Sequence, residues 1–434
     1  MTVQMLNTKA EQAILKTFED NAARLPGGAA LQELRRAAIG AFASKGLPSR
    51  RVEEFKYTDL KAGLKDAFPL AKGGADGKAD DIIRSALGAL LGAEVETSLI
   101  AFADGRGFSA KGEASFLAEA LKTPPAWISS LMADESLNAS ADLLVNSALF
   151  TDGALIDVAA DAAPEHPLVI VSAAGDRETE AFVALRHVIR VGKGAKVTLV
   201  EFDTTGRASA RQSSAVTQIE IGDGAEVHHI KVVAARKGSS HLGHWQVALG
   251  ANATYRPFQL TVGEGLVRNG LNIAFNGQHS TFDFGAASIV HGQGHADSTL
   301  VIEHKVPHCT SRELFKTVLD GQARGVFQGK VIVLPDAQKT DGKQMAQALM
   351  LSPDAEFDSK PELEIYADDV ACGHGSTAAE IDPDLVFYCT SRGIPKPVAR
   401  ALLIESFIGE AIDKIEHDGL REAIGAIARD NLAV

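Results

Sequence analysis

The sequence predicts a mainly β protein, a parallel β-helix or a similar β-solenoid over residues 146–383, flanked by α-helical regions. Three observations predict it. First, the chain repeats itself. RVGKGAKVTLVE (Arg190–Glu201) resembles EIGDGAEVHHIK (Glu220–Lys231), and ALGANATYRPFQ (Ala248–Gln259) is a looser third copy. Gly192, Gly222 and Gly250 mark equivalent points, with Ala195, Ala225 and Ala253 in step. Second, the texture from about Asn146 is short runs of Val, Ile and Thr separated by Gly, Asp and Asn, with no helical pattern to make βαβ units. Third, aromatics are scarce at 6% while glycines number 40, which suits a core of small aliphatic layers joined by tight turns. A strand–turn–strand unit cannot bury its own apolar face, so repeated units imply stacked coils. A large β-sandwich with similar turns is the alternative that the pattern leaves open.

The elements follow in order. Residues 1–135 read as a helical domain, with Leu31, Leu34, Ala38 and Phe42 on one 3.6-residue stripe. GLPSRRVEEFKYTDL (Gly46–Leu60) breaks that stripe with Gly and Pro. AKGGADGKADD (Ala71–Asp81) is a polar, Gly-rich loop, and KTPPAW (Lys122–Trp127) lies near a boundary. LSPDAEFDSK (Leu351–Lys360) repeats the turn-then-strand form late in the β region. The chain turns helical again after TSRGIPKP (Thr390–Pro397), and residues 384–434 read as a C-terminal helical domain. Ile404, Ile408, Ala411 or Ile412, and Ile415 share one face, and Gly419 precedes a second helix bearing Leu420, Ile424 and Ile427. Such helices either cap the open end of a solenoid or dock a partner.

A net charge of -13 argues against a broad nucleic-acid or anionic-membrane surface. No stretch is long and apolar enough to span a bilayer, and the N-terminus lacks the pattern of a secretory signal. Three cysteines cannot all pair, so free thiols in a reducing, cytoplasmic compartment are the expectation.

Several catalytic signatures are missing. GVFQGKV (Gly325–Val331) is one residue short of a P-loop and no Ser or Thr follows its Lys, so this chain is not expected to bind nucleotide. There is no H-E-x-x-H, G-x-S-x-G or C-x-x-C. What remains is Cys372-Gly373-His374. If PELEIYADDVACGH (Pro361–His374) is one strand, alternation puts Tyr366, Val370, Cys372 and His374 on one face. Residues two apart on a strand rise roughly 6–7 Å, so thiolate and imidazole can share an iron or a small cluster. Two ligands do not close a metal site, so a second chain must supply others, with Asp368 and Asp369 near enough to offer oxygen. The competing reading makes Cys372 a small packed hydrophobe and His374 a surface residue. Cys309 should diverge from the adjacent His308, Cys389 should be a packed core thiol, and His279, His291, His295, His304 and His308 should be structural or incidental. A carbohydrate-active β-helix would need paired acids across a groove, and the adjacent Asp368 and Asp369 are poorly arranged for that.

Three long segments then carry a resemblance. HCTSRELFKTVLDGQARGVFQGKVIVLPDAQKTDGKQ, KPELEIYADDVACGHGSTAAEIDPDLVFYCTSRGIP and EEFKYTDL resemble the SufB/SufD family of iron–sulfur cluster assembly proteins. NSALFTDGALIDV (Asn146–Val158) and ELEIYADDVACGHGS are similar to the SufD branch, whereas the cysteine at 389 is closer to the SufB branch. The resemblance implies a right-handed parallel β-helix flanked by helical domains. It implies a non-enzymatic scaffold subunit that pairs with SufB through the β-helix ends, or with itself in isolation. It also implies that the C-terminal helices dock a SufC ATPase, which fits the missing P-loop; Arg400, Ile404, Glu405 and Ile408 are the docking candidates. The nascent cluster, or iron, would be transient and shared with SufB, with His374 and Cys372 as this chain's ligands. A purely structural partner that positions SufB is the alternative.

Overall fold

The computed structural model describes residues 8–73, 81, 84, 87–88, 98–110, 114–132, 140–174, 180–204 and 211–432. Most of the expected loop 71–81 lies outside them. From Ala154 to Ala379 successive strands alternate between two sheets, and neighbours in each sheet pair in parallel. One sheet, here sheet A, ends at Glu356–Ile365, and the other, sheet B, ends at Ala371–Ala379. This is the parallel β-helix that the repeat predicts.

The repeat glycines have a steric reason. A Cβ at Gly192 would lie 2.5 Å from the Ala160 nitrogen, at Gly222 2.8 Å from that of Lys193, and at Gly250 2.9 Å from that of Asp223. Each turn rests on the backbone of the turn before it, so only glycine fits. Ala195, Ala225 and Ala253 are buried and point into the lumen. Inward alternation then fills the lumen with Leu199, Ile219, Val227, Val247, Tyr255 and Ile273.

The N-terminal stretch expected to be helical is so only in part. Helices Lys9–Asn21 and Ala29–Lys45 are present, the first begun by a Thr8–Glu11 capping box. The strands Ser98–Ala103, Arg106–Ala110 and Ala114–Phe116 lie in the same stretch and belong to the two sheets. Arg106–Ala110 pairs antiparallel with Ser98–Ala103, and Ala114–Phe116 with Ala154–Val158, so the two form the starting edges of the two sheets. Short strands interrupted by turns give too little periodicity to be told from helix.

The C-terminal helices do not cap the β-helix. Lys396–Ile412 and Asp418–Asp430 lie along the outer face of sheet B. Ile404, Ile408, Ile412 and Ile424 bury themselves there against Ile230, Val232, Phe258 and Leu260. Full burial of such a side chain is worth about 1.5–3 kcal/mol, so flank packing uses the whole apolar stripe. The last coil is left open: Ala371–Ala379 is mostly exposed, and Glu356–Ile365 has no fully buried residue. Among the described residues no helix is long and apolar enough to cross a membrane.

Candidate functional site

The segment Pro361–His374 is not one strand. Sheet A takes the chain to Ile365, a turn carries Tyr366, Asp368 and Asp369, and sheet B resumes at Ala371. Tyr366 is therefore exposed in the turn, not on a face shared with Cys372. Cys372 and His374 do share one, since they are two apart on Ala371–Ala379. Parallel register sets Cys372 over Gly342 and His374 over Gln344. One strand further in, Gly342 lies over Ser311 and Gln344 over Glu313.

Cys372 is half-buried and packs against the lumen core, so this face points inward at the open end. An added Cβ on Gly342 would lie 3.3 Å from Ser311 Oγ and 3.6 Å from Cys372 Sγ, so a small gap separates hydroxyl and thiol. Ser311 in turn meets His304 Nε2 at 3.2 Å, and the His304 ring stacks on Phe275. His374 is exposed at the rim. Across the rim, the Ser376 hydroxyl donates to Ser359 Oγ at 2.7 Å, joining the two final strands. A cavity of about 640 Å³ opens beside this strand, with Arg312, Lys343 and Lys414 among its lining residues as well as Cys372 and His374.

Burial sets the electrostatics. It pushes the Cys372 thiol up, so a metal must displace a proton there. It pushes the Glu313 carboxyl up to about 8 and holds His304 down at about 4. Asp369 is not a free oxygen donor, because its carboxylate pairs with Lys339. Among the described residues one trio of His, Cys or carboxylate donors lies within 4.8 Å of one another: Glu226, His228 and Glu416. Arg256 already bridges both of those glutamates, at 2.8 and 3.2 Å, which makes the trio a tether for the C-terminal helices. Cys372 and His374 thus place a thiol and an imidazole on one face of an edge strand at the open end.

The model of the SUF system iron–sulfur cluster assembly SufBD core domain matches residues 172–407, more than half of the chain. The chain belongs to the SufB/SufD family. The family's N-terminal region matches residues 8–81. The chain is 28% identical to the iron–sulfur cluster assembly protein SufD of Escherichia coli (strain K12) over 388 residues, 87% of this chain and 88% of the relative. A SufBD-family iron–sulfur cluster assembly protein of Synechocystis is 32% identical over 281 residues, 62% of each chain. The SufD protein of Bacillus subtilis is 25% identical over 291 residues, 65% of each. This member is accordingly SufD-like, an iron–sulfur cluster assembly protein of the SUF system.

Other expected residues fall elsewhere in this family member. Cys309 is buried in the lumen core and donates to the Gly277 carbonyl. Cys389 is not a core thiol: it is half-buried on the helix Pro383–Ser391, which has no buried residue. His291 pairs with Glu264, His295 meets Thr58, and His279 stacks on His308, all structural contacts. Ile404 and Ile408 are 2% and 1% exposed, so the docking role assigned to them is corrected: they are occupied inside this chain. Glu405 is held by Arg429 at 3.0 Å, and Arg400 is half-buried. On the C-terminal helices the exposed large apolar residues are instead Phe387 at 72% and Tyr388 at 54%, with Leu385, Val398 and Leu402. The run LVFY signalled them, but on a helix start it reads equally well as core.

Sequence reasoning also missed the polar interior. Glu201, buried in the lumen, accepts from Thr217 and Trp245 and lies 3.0 Å from His229. The signal was there, because Glu201 and Asp203 continue the inward alternation of Val197 and Leu199.

Proposed function

We propose that this chain is the non-ATPase scaffold subunit of a SufB–SufC–SufD assembly, pairing with SufB at its open end and presenting Cys372 and His374 to the nascent cluster. The observation that carries this is the incomplete Cys372–His374 pair on an unpaired edge strand. An exposed strand edge is a template for another chain. A partner strand added there brings its own side chains onto the same inward face, so ligands from both chains meet at the junction. Iron and the cluster are cargo: Cys372 supplies a thiolate, His374 an imidazole nitrogen, and neither need hold the product once it is passed on. SufC docking falls to the exposed Phe387, Tyr388 and Leu402. Movement of docked ATPase subunits would then be transmitted along the flank helices to the junction.

Reconstitution tests this. The chain is co-expressed with SufB and SufC, as wild type and as His374→Ala, and purified without air. A visible cluster band in wild type, lost in the variant with all subunits still co-eluting, is expected. An unchanged band would leave this chain as a purely structural partner.

A further inference from the structure

We propose that the iron site on this chain continues into the lumen, where the amide oxygen of Gln344 and the carboxylate of Glu313 act as inner donors to a ferrous ion gripped at the rim by Cys372 and His374. This rests on the rim reading above and extends it by naming what completes the ligand set from this chain.

Register supplies the geometry. Glu313, Gln344 and His374 are successive partners on three parallel strands. Strands lie about 4.8 Å apart, so Glu313 and His374 are roughly 9–10 Å apart at their backbones, with Gln344 midway. A carboxylate reaching outward and an imidazole reaching inward can close on one ion at the level of Gln344.

The side chains there are also unsatisfied. Gln344 is 3% exposed, yet neither its amide nitrogen nor its oxygen has a hydrogen-bond partner. Neither carboxylate oxygen of Glu313 makes a well-formed hydrogen bond, with only the Ser311 hydroxyl near enough to interact. Folded proteins leave few buried polar atoms unpaired, and a missing ion is one cause. Glycine makes room on two sides. Gly342 leaves the gap beneath Cys372, and across the lumen a Cβ at Gly329 would lie 3.0 Å from both Gln344 amide atoms.

The chemistry fits ferrous iron, which accepts thiolate, imidazole, carboxylate and carbonyl donors together. One thiolate and one carboxylate cancel its two charges, which removes the cost of a net buried charge. Loading exchanges the protons of Cys372 and Glu313 for the ion, and they leave through the open end.

The test uses the purified full chain without air and Co²⁺ as a spectroscopic stand-in. Wild type should show a thiolate-to-cobalt absorption that Cys372→Ser removes. Gln344→Leu and Glu313→Leu should each weaken cobalt binding on the order of 10- to 100-fold and shift the ligand-field bands. Glu313→Gln keeps the shape and removes the charge, so it gives the same reading if a leucine variant misfolds. Wild-type affinity and spectrum in the inner variants, with the Cys372→Ser loss intact, would overturn the proposal and leave the rim site standing. Absence of any Cys372-dependent band in wild type would overturn the rim site and the inner donors with it.

Discussion

Glu313 stands two strands beneath His374 in strand register, with Gln344 between them. The exposed rim and the buried interior are therefore parts of one polar feature.

The buried acid makes stability depend on pH. Burial raises the Glu313 carboxyl to about 8 in the folded chain, against 4.5 unfolded. Between these values the folded state holds a proton that the unfolded state has lost, so stability falls as pH rises from about 4.5 towards 8. Glu313→Gln should flatten that decline in denaturant midpoints measured across the range. Parallel profiles for the two proteins would place the acid in a wetter setting.

Glu201 should behave in the opposite sense. Burial alone would raise its carboxyl, but His229 and Lys231 hold it well below the usual range. Its stabilising contribution is present above pH 4.5 and is lost as pH falls towards the folded value. Removing one partner of a buried charge cluster costs about 3–5 kcal/mol, so Glu201→Ala should lower the urea midpoint at pH 7 far more than at pH 3. An equal loss at both pH values would make its role one of packing.

The two faces of the C-terminal helices should separate stability from docking. Ile404→Ala should cost about 2–5 kcal/mol, because Ile404 is packed against sheet B. Phe387→Ala, at an exposed position, should leave the melting temperature within a few degrees and reduce co-purification with SufC. A Phe387 variant that retains SufC fully would move the docking surface off this helix.

The gap at Gly342 offers a graded probe. Alanine fits between Ser311 and Cys372 with slight crowding. In a Cys389→Ser background, alkylation of Cys372 should slow in Gly342→Ala and the chain should stay folded. Unaltered alkylation would mean that reagents reach the thiol from the outer face alone.

The stacked architecture was legible because glycine turns recur for a steric reason, and Cys372 with His374 because alternation on a strand is rigid. The fate of the helices was not legible. An apolar stripe such as Ile404–Ile408 states that something will be covered, not by what, and a flank offers more area than an end. Gln344 and Glu313 escaped notice because register, which aligns them beneath His374, depends on the lengths of the intervening turns. The extended 361–374 strand failed at ADDV, where two acids and a change of sheet make a corner.

The two ends of the β-helix also differ. At the start, Arg106–Ala110 and Ala114–Phe116 fold back antiparallel and form short edges. At the finish, long parallel strands are left open. Head-to-tail stacking of identical rods, which would propagate into a fibre, needs two complementary termini. Under the proposed pairing, an open finish and a folded-back start among the described residues would let the β-helix add one neighbour and stop, so topology would limit that junction to two chains before any side chain chooses the partner.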